Sequence, residues 1–231
     1  MKSAVVIFPG SNCEMDTVLA IEKISGRPPE KVWHKDSLPP DTDLVVLPGG
    51  FSYGDYLRVG AIAKVSPVMQ SVVQHAQAGG LTIGICNGFQ ILLECGLLPG
   101  AMIRNRGLHF VCKWTHLKVM RNDTPFTRIS KEVLHIPVAH ATGNYFVEPE
   151  KLQEIEDRGQ VLFRYCTPEG EVTDAANPNG SLNSIAGITN AQGNVLGLMP
   201  HPERAIDEEL GSADGVLFWE SVLGAKAAPT L

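Results

Sequence analysis

Residues 81–96 read LTIGICNGFQILLECG, an apolar run that stops at a cysteine with a glycine two residues to either side. The run Leu81–Ile85 suits a parallel strand buried on both faces, and 88–95 reads as the helix that follows it. Between them Gly84-Ile85-Cys86-Asn87-Gly88 has the G-x-C-x-G spacing of a nucleophile elbow, the thiol counterpart of the hydrolase G-x-S-x-G turn. Such a turn lifts the thiol off the sheet, and the glycines permit approaches that a side chain would block. The thiol then lies at a helix N-terminus, where the partial positive charge favours thiolate. The backbone N–H of Asn87 points to where an oxyanion would form. Free cysteine more often only packs, so the rest of the chain has to decide.

Two further apolar runs end the same way, Ala4–Phe8 at Pro9-Gly10 and Leu44–Leu47 at Pro48-Gly49-Gly50. Helix-like segments at 14–25 and 57–78 separate them. This β-α-β-α rhythm predicts an α/β fold, an open and mostly parallel sheet with helices on both faces. Chemistry in such sheets sits at the carboxyl ends of the strands, where the glycine-rich tails fall. The second half adds strand-like segments at 116–120, 133–138, 161–166, 185–189 and 194–199, with helices only at 150–158 and 214–223. A hairpin signal at 190–194 predicts added antiparallel strands within one domain spanning 1–231.

Bulk properties narrow the function. The formal net charge is −6 and no basic stripe appears, which argues against a nucleic-acid partner. No apolar stretch approaches the roughly 18 residues needed to span a bilayer, and the N-terminal run is too short for a signal-peptide core. A soluble, cytoplasmic protein is expected, with no membrane association. The five cysteines form an odd set without a C-x-x-C pair, so neither a disulfide framework nor a metal site is expected.

A cysteine nucleophile needs a base, and the base an orienting group. His201 lies in Met199-Pro200-His201-Pro202-Glu203, where the prolines hold their predecessors extended. In an extended stretch residues two apart share a face, so His201 and Glu203 are directed the same way. A surface turn with a salt-bridging glutamate is the alternative reading of that stretch alone. Among the other histidines, His140, in a polar loop, stays open and the rest read as core or surface residues. Cys95 reads as packing, and the remaining cysteines lack a glycine-flanked strand-to-helix setting. The loop Pro48–Asp55 carries three glycines and can supply a second oxyanion donor, with Gly50 the first choice and Gly49 close behind. Gln90, one helical turn beyond Cys86, and Tyr53 and Arg58 are candidates for gripping the substrate.

Together GICNGFQ, PGGFSYGDYLRVGAIA and GNVLGLMPHPER resemble the class I, triad-type glutamine amidotransferases, and the resemblance runs the length of the chain. It implies a flavodoxin-like sheet and hydrolysis of L-glutamine through a γ-glutamyl thioester on Cys86. His201 would act as base then acid, and Glu203 would fix its tautomer. The nearest resemblance, carried by VVIFPGSNCEMD, GLLPGAM and ERAIDEELGSADG, is to the glutaminase subunits of a purine-pathway synthase. It implies ammonia delivery to a synthetase partner that binds ATP and Mg, a small bridging accessory subunit, and no cofactor on this chain. The sequence departs from the family pattern at 140–143, reading His-Ala-Thr-Gly where H-G-E-G is expected. A stand-alone cysteine hydrolase such as a γ-glutamyl peptidase, or an inactive regulatory subunit, are the competing readings.

Overall fold

A computed structural model describes residues 1–56 and 58–224. Its elements in chain order are β1 (Ser3–Ile7), α1 (Glu14–Ser25), β2 (Glu30–Trp33), β3 (Leu44–Leu47), α2 (Pro67–Gln77), β4 (Leu81–Ile85) and α3 (Asn87–Glu94). Then follow β5 (Ala101–Ile103), β6 (Val111–Val119), β7 (Val133–His140), β8 (Asn144–Phe146), α4 (Pro149–Asp157), β9 (Val161–Cys166), β10 (Ile185–Thr189), β11 (Val195–Leu198) and α5 (Asp214–Gly224). Nine strands form one sheet in the order β2-β1-β3-β4-β11-β10-β9-β6-β7, and β5 pairs with β8 in a separate ribbon.

The first four strands and β11 run parallel; β10, β9, β6 and β7 continue the sheet antiparallel. Every residue of β3, β4 and β11 is buried, which explains why these runs lack polar alternation. At the antiparallel end β7 alternates half-buried with buried residues, as a strand with one wetter face does. The expected open, mostly parallel sheet with added antiparallel strands is what the chain forms.

Strand order reverses at β1, with β2 on one side and β3 on the other. Right-handed crossovers therefore put α1 and α2 on opposite faces and open a crevice at the strands' carboxyl ends. The turn after β1, the loop after β3, the elbow after β4 and the segment after β11 all converge there.

One reading needs correction, and two elements went unread. The helix expected over 57–78 begins only at Pro67; Ala63–Val65 is a separate 3-10 turn, and extended Ser66 precedes a proline in the first helical turn. Leu57 and the last seven residues of the 1–231 domain lie outside the described residues. Strand β2 gave no periodic signal because only Val32 of its four residues is buried. The short ribbon β5–β8 was equally silent, with Tyr145 its one buried side chain.

Candidate active site

Cys86 adopts φ 48° and ψ −102°, a conformation outside the regions an L-residue normally occupies. Strain of about 1–3 kcal/mol persists only where neighbours over-determine it, and here they do. The Cys86 N–H donates to Leu198 O of β11 at 2.8 Å, fixing the elbow to the adjacent strand. A Cβ on Gly84 would lie 2.5 Å from the Gly88 carbonyl, and one on Gly88 would overlap the Leu47 carbonyl. Both glycines are therefore sites of close backbone approach. The Cys86 sulfur lies 3.7 Å from Ala139 O, so β7 walls the thiol on its other side.

The His201 N–H donates to Pro137 O at 2.8 Å, anchoring the segment after β11 to β7. His201 is extended, at φ −107° and ψ 83°, as a residue before proline should be. The stretch does not stay extended: Pro202–Arg204 form a 3-10 turn. That turn brings Glu203 Oε1 to 2.6 Å from His201 Nδ1, a pairing set by the turn as much as by residue spacing. Both side chains are buried, at 1% and 2% exposure, so the carboxylate acts in a medium that screens it little. Burial alone would lower the His201 pKa, but the charges of Glu203 and Cys86 outweigh it and hold the imidazole well above the usual histidine range. Its Nε2 is buried without a partner in the protein, free for a proton from a thiol.

The loop after β3 closes the third side. A Cβ on Gly49 would sit 2.7 Å from His201 Cε1, so only glycine lets the loop press on the ring. Gly50 follows at φ 138°, against the backbone of Ser11 and Asn12. Tyr53, Gly54 and Asp55 then occupy three consecutive left-handed positions. Asn87 pins this loop to the elbow: its Oδ1 accepts from Ser52 N at 3.0 Å, and its Nδ2 lies 3.5 Å from Asp55 Oδ1. Burial pushes the Asp55 carboxyl up to about 6.

The remaining candidates fall in different places. Gln90 belongs to the elbow network, accepting from Asn87 Nδ2 at 2.9 Å and donating to Thr142 O at 2.6 Å. The departing segment 140–143 therefore still serves as a wall, through its backbone. Tyr53 turns its hydroxyl away, to His34 Nδ1 at 2.6 Å and Ser66 Oγ at 2.8 Å. Arg58 is paired with Glu94, the last residue of α3, about 12 Å along the helix from the elbow at 1.5 Å per residue. Cys95 is a packing residue whose thiol burial pushes up to about 11.

Sequence reasoning passed over Cys13. It lies in the turn between β1 and α1, a strand-to-helix setting like that of Cys86, and its place three residues after Pro9-Gly10, just before the helix, was the available signal. Its thiol is buried beside His201 and Glu203, with donor atoms of the three within 4.8 Å of one another. A metal could use that spacing, but Nδ1 of His201 already faces Glu203 and the Arg204 guanidinium lies 3.1 Å from the Cys13 sulfur, so the cluster reads as hydrogen-bonded and cation-repelling. His140, placed in a polar loop by its sequence, is instead the buried last residue of β7. Its Nδ1 meets Asn105 Oδ1 at 3.2 Å and its Nε2 meets Asn179 Nδ2 at 3.4 Å. Burial, then the nearby His201, lower its pKa to about 4.

Residues 1–214 match the family of CobB/CobQ-like glutamine amidotransferase domains. This chain belongs to that family. Among its amidotransferase relatives, the phosphoribosylformylglycinamidine synthase subunit PurQ of Acaryochloris marina is 51% identical over 230 residues, 99% of this chain and 98% of that one. PurQ of Moorella thermoacetica is 55% identical over 217 residues, covering 93% and 92%. The amidotransferase fold is matched by a chain of the PurLQS structure from Thermotoga maritima, with TM-score 0.85, 44% identity and coverage of 96% and 97%. A glutamine amidotransferase from the same organism, at 16% identity and TM-score 0.57, shares the fold.

Proposed function

We propose that this chain is the glutaminase subunit of phosphoribosylformylglycinamidine synthase. One observation carries the chemistry: Cys86 is held in a strained strand-to-helix elbow beside a buried His201 whose Nδ1 is committed to Glu203. Full-length relatives with that name support the assignment.

His201 Nε2 takes the proton of the Cys86 thiol, and the thiolate adds to the side-chain amide carbon of glutamine. The developing oxyanion is met by the N–H groups of Gly50 and Asn87. Collapse of the adduct transfers the proton from His201 to the leaving nitrogen, releasing ammonia and leaving a γ-glutamyl thioester on Cys86. Water then gives a proton to His201 and adds to the thioester carbon. Glutamate leaves as the proton returns to the Cys86 sulfur. Glutamine and water become glutamate and ammonia, and the thiol is regenerated. Glu203 holds the proton of His201 on Nδ1, so that Nε2 stays the basic nitrogen throughout. Of the candidates for gripping the substrate, Gln90 stands beside the elbow with its amide held by Asn87 and Thr142, while Tyr53 and Arg58 hold partners away from it.

Ammonia released into water is lost, so the reaction is completed by a synthetase partner. That partner binds ATP and Mg and converts formylglycinamide ribonucleotide to formylglycinamidine ribonucleotide. A small accessory subunit bridges the two, a reading supported by the three-letter assembly name of the Thermotoga structure. This chain carries no cofactor of its own and works in the cytoplasm; none of its described helices is long and apolar enough to cross a membrane.

The test is a glutamine-mimicking diazoketone, incubated with the chain alone and with its synthetase, followed by intact mass measurement. One adduct on Cys86, absent in Cys86→Ser, is the expected result. No adduct with the folded complex present would sink the glutaminase reading in favour of an inactive subunit.

A further inference from the structure

Glu203 has a neighbour that should compete for it. Arg204 follows it directly, and the second carboxylate oxygen, Glu203 Oε2, is buried with no partner. An unpaired buried carboxylate oxygen is a strong acceptor for a guanidinium. Yet Arg204 points elsewhere: its Nε donates to Asp16 Oδ2 of α1 at 2.9 Å, and its Nη2 lies 3.1 Å from the Cys13 sulfur. Cys13 is itself held, with its sulfur 3.3 Å from Asn12 Oδ1. Asp16, Arg204, His201 and Glu203 all line a groove of about 410 Å³, so a released Arg204 has room to swing.

We propose that Asp16 and Cys13 are positioning residues that hold Arg204 off Glu203, leaving the carboxylate committed to His201 alone. The proposal rests on the triad reading and adds a group of residues to it. Physically, a guanidinium on Glu203 Oε2 would neutralise the charge that holds His201 basic, and the imidazole would lose its affinity for the thiol proton. The groups facing His201 are Cys86 from the elbow, Cys13 from the β1–α1 turn, His140 from β7, and Glu203 from its own turn. Asp16 and Arg204 stand behind Cys13 and Glu203. Of these, Arg204 is the one permanent cation, and the groove beside it leaves its side chain room to change partner. The arrangement also explains why a buried cysteine without a catalytic step stands at the centre of the site.

The experiment is a pH titration of the His201 ring by NMR in the full-length chain, with glutaminase rates measured in the complex alongside. Asp16→Asn should lower the His201 midpoint by about one unit as Arg204 moves to Glu203. Adding Arg204→Gln should cancel that drop, because the competing cation is gone. Asp16→Glu should keep the original midpoint, and Cys13→Ala should move it the same way as Asp16→Asn but less. If Asp16→Asn does not fold, Arg204→Gln alone decides: its midpoint should stay at or above the original, and a lower one overturns the proposal. An unchanged midpoint in folded Asp16→Asn, or a drop that persists in the double variant, also overturns it. Failure of the triad reading looks different, with no raised His201 titration in the unaltered chain.

Discussion

Gly88 has no space for a side chain against the carbonyl oxygen of Leu47: the first turn of α3 is seated on the end of β3. This contact locks the elbow to the strand that feeds the glycine-rich loop Pro48–Asp55. Gly88→Ala must push α3 outward, an overpacking cost of about 1–3 kcal/mol. Its urea midpoint should fall accordingly, and alkylation of Cys86 by iodoacetamide should slow as the thiol leaves its place beside His201.

Glu203→Gln keeps the shape but removes the charge that raises His201. The high-pH limb of the glutaminase profile, where imidazolium is lost, should move to lower pH. Loss of the oriented, charged base should cut kcat by about 10²-fold or more, with KM for glutamine changed little. Steady-state rates of the complex across pH measure both.

Asn87→Ala separates two functions of the elbow. The side chain pins the loop after β3, the proposed source of the Gly50 oxyanion donor, through Ser52 N and bonds Gln90, and it has no role in the proposed Cys86–His201 proton transfer. Iodoacetamide forms no oxyanion, so its rate with Cys86 should stay within about twofold, whereas glutamine turnover should fall by about 10²-fold, as for loss of one oxyanion donor. Equal losses in both assays would mean that the side chain supports the whole elbow.

His140 and Asp55 give stability opposite slopes with pH. The folded chain holds His140 neutral down to about pH 4, while the unfolded chain protonates it near the ordinary histidine value of 6.5. The unfolded state therefore binds more protons between those values, and stability falls as pH drops through that window, by about 3 kcal/mol at 1.36 kcal/mol per unit. Asp55, raised from 3.8 to about 6, does the reverse: the folded state binds the extra proton, and stability rises as pH falls from about 6. In the unaltered chain the two act against each other, the half-buried Asp55 more weakly because solvent screens it. Urea denaturation at pH 7 and pH 5 should show His140→Gln gaining relative stability at the lower pH, and Asp55→Asn losing it.

The sequence by itself determined the fold class and singled out Cys86, His201 and Glu203. Both were written in short-range terms: apolar runs ending in turns, glycines at fixed spacing about Cys86, prolines restricting the approach to Glu203. Such signals are local, because backbone sterics act over a few residues. Tertiary structure decided the rest. Only folding brings Cys13, 188 positions before His201 in the chain, against its ring, turns His140 from a loop residue into a buried neighbour of the site, and commits Tyr53 and Arg58 elsewhere. Those contacts join the ends of separate strands, and their chemistry depends on burial and on which partner each polar group reaches first. Neither quantity exists in a linear chain; both arise when the sheet closes around Cys86.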